Sequence, residues 1–222
     1  VVRFDPVMQA IRRIENLSPR FIEMTRISPL TFRSLDVGVV LDMMIHDLDL
    51  LLMFLGQEPE EVHASAVAVV SDAEDLCNAR LVFPPNAAGN RCVATVTASR
   101  LALKTERKLR LFSDSAYVSA DFVKRSGTIV ERSANVAQLS SVRSQLAEGS
   151  DLSDVNYLDL VHIEALDVGD EEPLRLQAEA FLQAVRSGCQ PEVDAEAGSA
   201  AVRTAERIVE AAGAVGVRMF DA

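Results

Sequence analysis

Tryptophan is absent, tyrosine occurs twice, and aromatic residues make up only 5 % of the chain. Single-stranded nucleic acid is bound largely by stacking on aromatic faces, so it is a poor fit. Positive charge is also scarce: 22 Lys and Arg stand against 33 Asp and Glu, a net charge of −11. Duplex nucleic acid and anionic membrane surfaces both reward clustered cations, so neither is expected as a partner. Cysteine is limited to Cys77, Cys92 and Cys189, an odd number at wide spacing. That pattern indicates neither a disulfide framework nor a structural zinc site, and it fits a reducing cytoplasm. The opening residues carry Arg3, Asp5 and Pro6 in place of an apolar leader, so no signal peptide is expected.

A long uncharged apolar run is missing too. The nearest approach is Val39–Leu55, whose ten Val, Leu, Ile and Phe residues would favour membrane insertion by roughly 3–6 kcal/mol. Asp42, Asp47 and Asp49 in the same stretch oppose it by roughly 7–10 kcal/mol. Opposition wins, and the segment reads as a buried helix of a soluble protein.

What is present is ample apolar material, 49 % of 222 residues, enough for one substantial core. Pro6, Val7, Met8, Ile11 and Ile14 have helical spacing, and Phe21–Ser28 alternates like a strand. After the buried helix, with Gly56 as its stop, the texture changes to short β-type runs. These are Val62–Val70, Ala79–Phe83, Cys92–Ala98, Lys108–Phe112, Tyr117–Ala120 and Thr128–Glu131, with a later one at Leu158–Leu166. A weakly amphipathic stretch covers Val136–Leu146. Pro173–Val185 and Ala195–Ala214, the latter capped by Asp194, predict two final helices. Successive strands without long helices between them pair mostly antiparallel. The expected architecture is α+β: one domain over 1–222, with a central, largely antiparallel sheet and helices near both ends of the chain. The acidic runs Asp72–Asp75 and Asp167–Glu172 read as solvated loops, since neither has an EF-hand spacing, and no metal site is expected.

Chemistry concentrates in one stretch, Asp36-Val-Gly-Val-Val-Leu-Asp42-Met-Met-Ile-His46-Asp47-Leu-Asp49. At about 100° per residue Asp42, His46 and Asp49 fall near 0°, 40° and −20°, one narrow polar stripe with Asp47 on another face. Buried carboxylates are costly unless paired or facing a cavity. A carboxylate one turn away raises an imidazole pKa while burial lowers it, a competition that holds His46 near neutrality, able to exchange a proton. The same spacing also suits a core histidine satisfied by Asp42. Arg26 and Arg33 bracket the loop before this helix, and Arg3 lies near the start. Each is a candidate clamp for an anionic substrate; for Arg26 a sheet-paired role is equally open.

The run D-V-G-V-V-L-D-M-M-I-H-D-L-D-L-L-L-M-F-L-G resembles the Asp-x-x-x-His helix of the Gfo/Idh/MocA oxidoreductases. Arg3-Phe4-Asp5-Pro6 is similar to the R-F-N-P at which that family's second domain begins, notably in its nucleotide-sugar dehydrogenases, with Asp5 where Asn is usual. The strand and helix order follows the family along essentially the whole chain. The resemblance implies an NAD(P)-dependent dehydrogenase of a sugar or nucleotide sugar such as a UDP-N-acetylhexosamine. In it, His46 removes the hydroxyl proton, Asp42 orients the imidazole, and Asp49, Arg3, Arg26 and Arg33 serve the substrate. It also implies an open, mostly antiparallel sheet with helices packed on one face, and a homodimer or homotetramer formed through that sheet. The family's Glu-Lys-Pro segment and its glycine-rich fingerprint do not occur here. The chain is therefore expected to be a C-terminal portion lacking the N-terminal Rossmann domain, with no cofactor-binding residue of its own and NAD or NADP held elsewhere. A non-catalytic assembly module of the same fold, or a relative acting on a non-sugar ring, are the alternatives.

Overall fold

The computed structural model describes residues 1–31, 35–132, 160–213 and 217–218, together with 140, 142, 144–145 and 147–149. After a single 3-10 turn at Val2–Phe4, α1 (Pro6–Arg12) starts where the sequence signals predict. Pro6 occupies its first position, and the Asp5 carboxylate accepts a hydrogen bond from Val7 N–H at 2.9 Å. Burial outweighs that bond and raises the Asp5 carboxyl above the ordinary aspartate value. The cap needs the oxygen rather than the charge. Asp5→Asn is therefore expected to leave stability within about 0.5 kcal/mol, whereas Asp5→Ala costs about 1 kcal/mol; urea unfolding of the two variants distinguishes these outcomes.

The strands are β1 (Pro19–Ile27), β2 (Glu61–Ala68), β3 (Leu76–Val82), β4 (Val93–Ser99), β5 (Glu106–Ser113), β6 (Ala116–Asp121), β7 (Ser126–Arg132), β8 (Val161–Ala165) and β9 (Val217–Arg218). They form one sheet in the order β8-β7-β6-β5-β1-β4-β3-β2-β9. Only β1/β4 and β2/β9 run parallel. The β1/β4 pair is parallel because the chain between them crosses over through a helix and the β2–β3 hairpin. The open, mostly antiparallel α+β architecture expected from the sequence is thus the one observed. Strand β9 has no counterpart among the expected strands, and of the helix expected at 136–146 only 140, 142 and 144–145 are described, all helical.

One face of the sheet is an apolar grid, built from Ile22, Met24, Ala79, Leu81, Ala94, Val96, Leu109, Leu111 and Val118, all fully or almost fully buried. Val7, Met8 and Ile11 of α1 and Leu48, Leu50 and Leu51 of α2 (Ile45–Leu55) join the same core. Gly56 ends α2 in the left-handed conformation, φ 65°, with its N–H on Leu52 O. Helix α4 (Ala195–Gly213) packs on α2 and β2 through Ala205, Ile208 and Ala212. Helix α3 (Pro173–Ser187) has no buried residue and lies against the Val2–Phe4 turn. The opposite face of the sheet carries Glu23 paired with Arg110 at 2.9 Å and the ring series Phe21, Phe112, Tyr117.

One acidic loop departs from expectation. Asp75 is fully buried rather than solvated. Its carboxylate accepts N–H bonds from Val69, Val70 and Ser71 and the Ser71 hydroxyl, with Arg100 at 3.5 Å. Burial acts to raise this carboxyl, but the N–H donors outweigh it and hold it below the usual range. The ordered loop also fixes Glu74, whose carboxylate accepts from Val40 N–H at 3.1 Å and whose carbonyl accepts from Val39 N–H. Glu74 thereby caps the entry to the chemistry-bearing helix, over Gly38. A Cβ at Gly38 would lie 2.0 Å from the Glu74 carboxylate, so any larger residue there would have to displace that side chain from its bond to Val40 N–H.

Candidate functional site

The helix predicted over Val39–Leu55 is two pieces. Val40–Met44 forms a π turn, in which Ile45 N–H reaches back five residues to Val40 O, and α2 follows. Such wide turns are often found at functional sites. The wide turn also breaks the 100°-per-residue count on which the single stripe of Asp42, His46 and Asp49 rested. Asp42 lies in the π turn and is exposed. Its backbone N–H donates to Gly38 O at 3.0 Å, but among the described residues no hydrogen bond or ion pair joins its carboxylate to His46 or to any other side chain.

His46, the second residue of α2, is on the surface, yet its ring is sheltered enough that loss of hydration lowers its pKa below the ordinary imidazole value. The positive charge of Arg26 pushes in the same direction, and the carboxylate opposing these effects is that of Asp47. His46 is thus biased toward the neutral form, the state in which an imidazole accepts a proton. The expected carboxylate partner differs: Asp47, not Asp42, is the acid whose field acts most on the ring.

Arg26, at the end of β1, is buried and bound to Asp47 by two bonds, Nε to Oδ2 at 3.0 Å and Nη2 to Oδ1 at 2.6 Å. Of the two roles open to Arg26, the structure shows the sheet-to-helix pair. Arg3 is also buried and holds Asp49 at 2.5 and 2.9 Å, with its remaining nitrogen on Glu192 O at 3.1 Å. Asp49 therefore faces Arg3 rather than sharing a stripe with His46. Arg33 lies outside the described residues. The structure thus brings together His46, Asp47 and Arg26, and separately Arg3 and Asp49, and it leaves the Asp42 carboxylate without a partner among the described residues.

One residue had not been singled out. Arg107 opens β5 directly opposite Arg26 in the ladder, and its charge acts on both Arg26 and His46. A signal was present in the sequence: Arg107 falls in line with Leu109 and Leu111, a charge on the apolar side of an alternating strand. An apolar recess of about 360 Å³ between Phe4 and α3, lined also by Pro191 and Val193, includes none of these groups. The chemistry lies on open surface.

Among the described residues there is no cluster of three or more potential metal ligands, and no helix is long and apolar enough to cross a membrane. Nor does any described strand lead through a glycine-rich loop into a helix N-terminus, the arrangement that cradles a dinucleotide diphosphate. No residue of this chain is assigned to a nicotinamide cofactor.

Residues 20–119 match the family model of the GFO/IDH/MocA C-terminal domain. The chain is 33 % identical over 186 residues to the UDP-N-acetylglucosamine 3-dehydrogenase of Acidithiobacillus ferrooxidans, an alignment covering 83 % of this chain and 52 % of that protein. A solved structure of that dehydrogenase superposes with a TM-score of 0.79 at 31 % identity, covering 96 % of this chain and 61 % of the other. A levoglucosan dehydrogenase solved with NADH and levoglucosan has a TM-score of 0.70 at 15 % identity, covering 96 % of this chain and 63 % of the other, a likeness of fold alone. The chain spans about half the length of the curated relative it matches. The match over the β1–β6 core, the whole-chain superposition and the helix that presents His46 agree, and this chain belongs to the Gfo/Idh/MocA family, whose C-terminal domain it represents.

Proposed function

We propose that this chain is the substrate-binding domain of an NAD(P)-dependent oxidoreductase that oxidises a secondary hydroxyl of a sugar or nucleotide sugar, with His46 as general base. The observation that carries the reading is the state of His46: surface-exposed, its ring without a hydrogen bond among the described residues, and biased toward its neutral form by desolvation and Arg26. Alcohol oxidation releases a proton and a hydride from the same carbinol. The chain supplies the acceptor for the proton, and general-base help of this kind is worth about 10²–10⁴-fold. The hydride acceptor is a nicotinamide held outside the residues described here.

Asp42, unpartnered in the π turn, is the proposed contact for substrate hydroxyls. The pairs Arg26–Asp47 and Arg3–Asp49 are proposed to fix α2 against β1 and against the Val2–Phe4 turn, so that His46 and Asp42 keep their spacing beside the substrate. The open face of the sheet, with its Phe21, Phe112 and Tyr117 rings, is proposed as the contact for further copies of the chain. The relationship to a UDP-N-acetylglucosamine 3-dehydrogenase makes a UDP-N-acetylhexosamine the first substrate to try. The expected result is substrate-dependent appearance of reduced nicotinamide absorbance when the protein as encoded is mixed with UDP-N-acetylglucosamine and NAD or NADP. No reduction with nucleotide sugars or free sugars under any cofactor would favour an assembly module.

A further inference from the structure

The helix-covered face of the sheet turns from apolar to charged at one end. Along β1 the residues on that face are Ile22, Met24 and Arg26; along the neighbouring β5 they are Leu111, Leu109 and Arg107. Register places Arg26 directly opposite Arg107, so both guanidinium groups leave the sheet on the same side. Like charges facing each other across a ladder are unfavourable. The protein answers only one of them. Asp47 takes Arg26 with two bonds, whereas the Arg107 guanidinium makes no hydrogen bond or ion pair among the described residues. Asp5 is the other carboxylate whose field reaches Arg107, but its carboxylate is committed to Val7 N–H at the start of α1.

We propose that Arg107 is the anion-binding residue of the candidate site, taking the diphosphate of a nucleotide-sugar substrate and so placing the sugar hydroxyl at His46. The inference rests on the oxidoreductase reading above and names the substrate group that this site selects. A planar guanidinium with free N–H groups suits two-point recognition of phosphate oxygens. Arg26 adds positive potential from behind while Asp47 keeps its own donors occupied, so the anion is directed to Arg107. An incoming diphosphate also relieves the unfavourable Arg26/Arg107 opposition, which is an interaction gained on binding and absent from the free protein. The other arginines near the helix, Arg3 and Arg26, lack this freedom because both hold carboxylates.

The test compares Arg107→Gln and Arg107→Lys with the unaltered protein as encoded. Hydrogen bonds to charged groups contribute about 1.5–3 kcal/mol, or roughly 10–150-fold. The Gln variant is therefore expected to lose about that factor in kcat/KM on UDP-N-acetylglucosamine, chiefly through KM. On free N-acetylglucosamine, which has no phosphate, the change should be far smaller, limited to the effect of the Arg107 charge on His46. On the nucleotide sugar the Lys variant should fall between. Thermal unfolding guards against a folding defect: Arg107→Gln removes no protein bond, so its midpoint is expected not to drop. Equal kcat/KM on the nucleotide sugar, or an equal loss on both substrates, overturns the proposal. If the unaltered protein oxidises neither compound, the oxidoreductase reading fails. The anion site is then decided by titrating UDP and inorganic pyrophosphate into the 222-residue chain. Binding lost in Arg107→Gln upholds it, and binding absent or unchanged refutes it.

Discussion

Asp47→Ala is expected to destabilise the fold by about 3–5 kcal/mol, the cost of removing one partner from a buried ion pair. The side chains of Arg26 and Asp47 are only 10 % and 6 % exposed, and two bonds join them. Without Asp47 the Arg26 guanidinium stays shut between β1 and α2, still facing Arg107 across the ladder. Nothing else among the described residues hydrogen-bonds to it. Set against a total stability of about 5–15 kcal/mol for a typical protein, this single change removes a large part. Asp47→Asn keeps an acceptor but not the charge and should cost less. Replacing the pair together, Arg26→Met with Asp47→Leu, should recover much of the loss, because two apolar side chains need no mutual compensation. Urea unfolding of the three variants measures the order. A loss below about 1 kcal/mol for Asp47→Ala would show that water or Asp5 satisfies Arg26 without it.

The largest expected effect on chemistry is that of His46→Asn, a fall in kcat of about 10²–10⁴-fold. Stability should barely change, because His46 is exposed and its ring makes no hydrogen bond among the described residues. The pH dependence supplies a second readout. Burial and Arg26 disfavour the imidazolium, so the acid limb of kcat/KM should fall at lower pH than an ordinary imidazole would give. Asp47 opposes them, so Asp47→Asn should move that limb lower still. The sign of the stability linkage follows from the same shift. Above the ordinary imidazole range the ring is neutral in both the folded and unfolded chain and contributes nothing. As pH falls through that range toward the lowered native value the unfolded chain binds more protons, and stability drops. Wild-type turnover in His46→Asn, or an acid limb at or above the ordinary histidine value, would remove His46 from the mechanism.

Much of the fold was legible because its signals are local. Alternation in Phe21–Ser28 and in Lys108–Phe112 marks strands whatever they pair with. Gly56 in the left-handed conformation, and Asp5 and Asp194 accepting N–H bonds at helix starts, act within a few residues of themselves. The stretch Val39–Leu55 stood out as the candidate for chemistry because three carboxylates and a histidine in an otherwise apolar helix have few structural uses. Its geometry was not legible. The stripe of Asp42, His46 and Asp49 assumed a uniform helix, and the π turn that breaks it begins beneath Glu74, a residue more than thirty positions away held in place by the buried Asp75 loop.

Composition, periodicity and capping residues in the sequence by themselves determined the element types, the mostly antiparallel sheet, the family resemblance and the candidate residues proposed to move a proton. These depend on near neighbours along the chain, where spacing is set by covalent geometry. Only the tertiary structure decided how the charges are shared. Arg26 meets Asp47 across 21 residues and Arg3 meets Asp49 across 46, through strand register and helix packing. Those pairings leave His46 and Asp42 open, and among the described residues they leave the Arg107 guanidinium without a carboxylate bound to it. Which charge stays free in a folded protein is a property of the whole packing, because each buried ion must be matched by whichever partner the fold brings within reach.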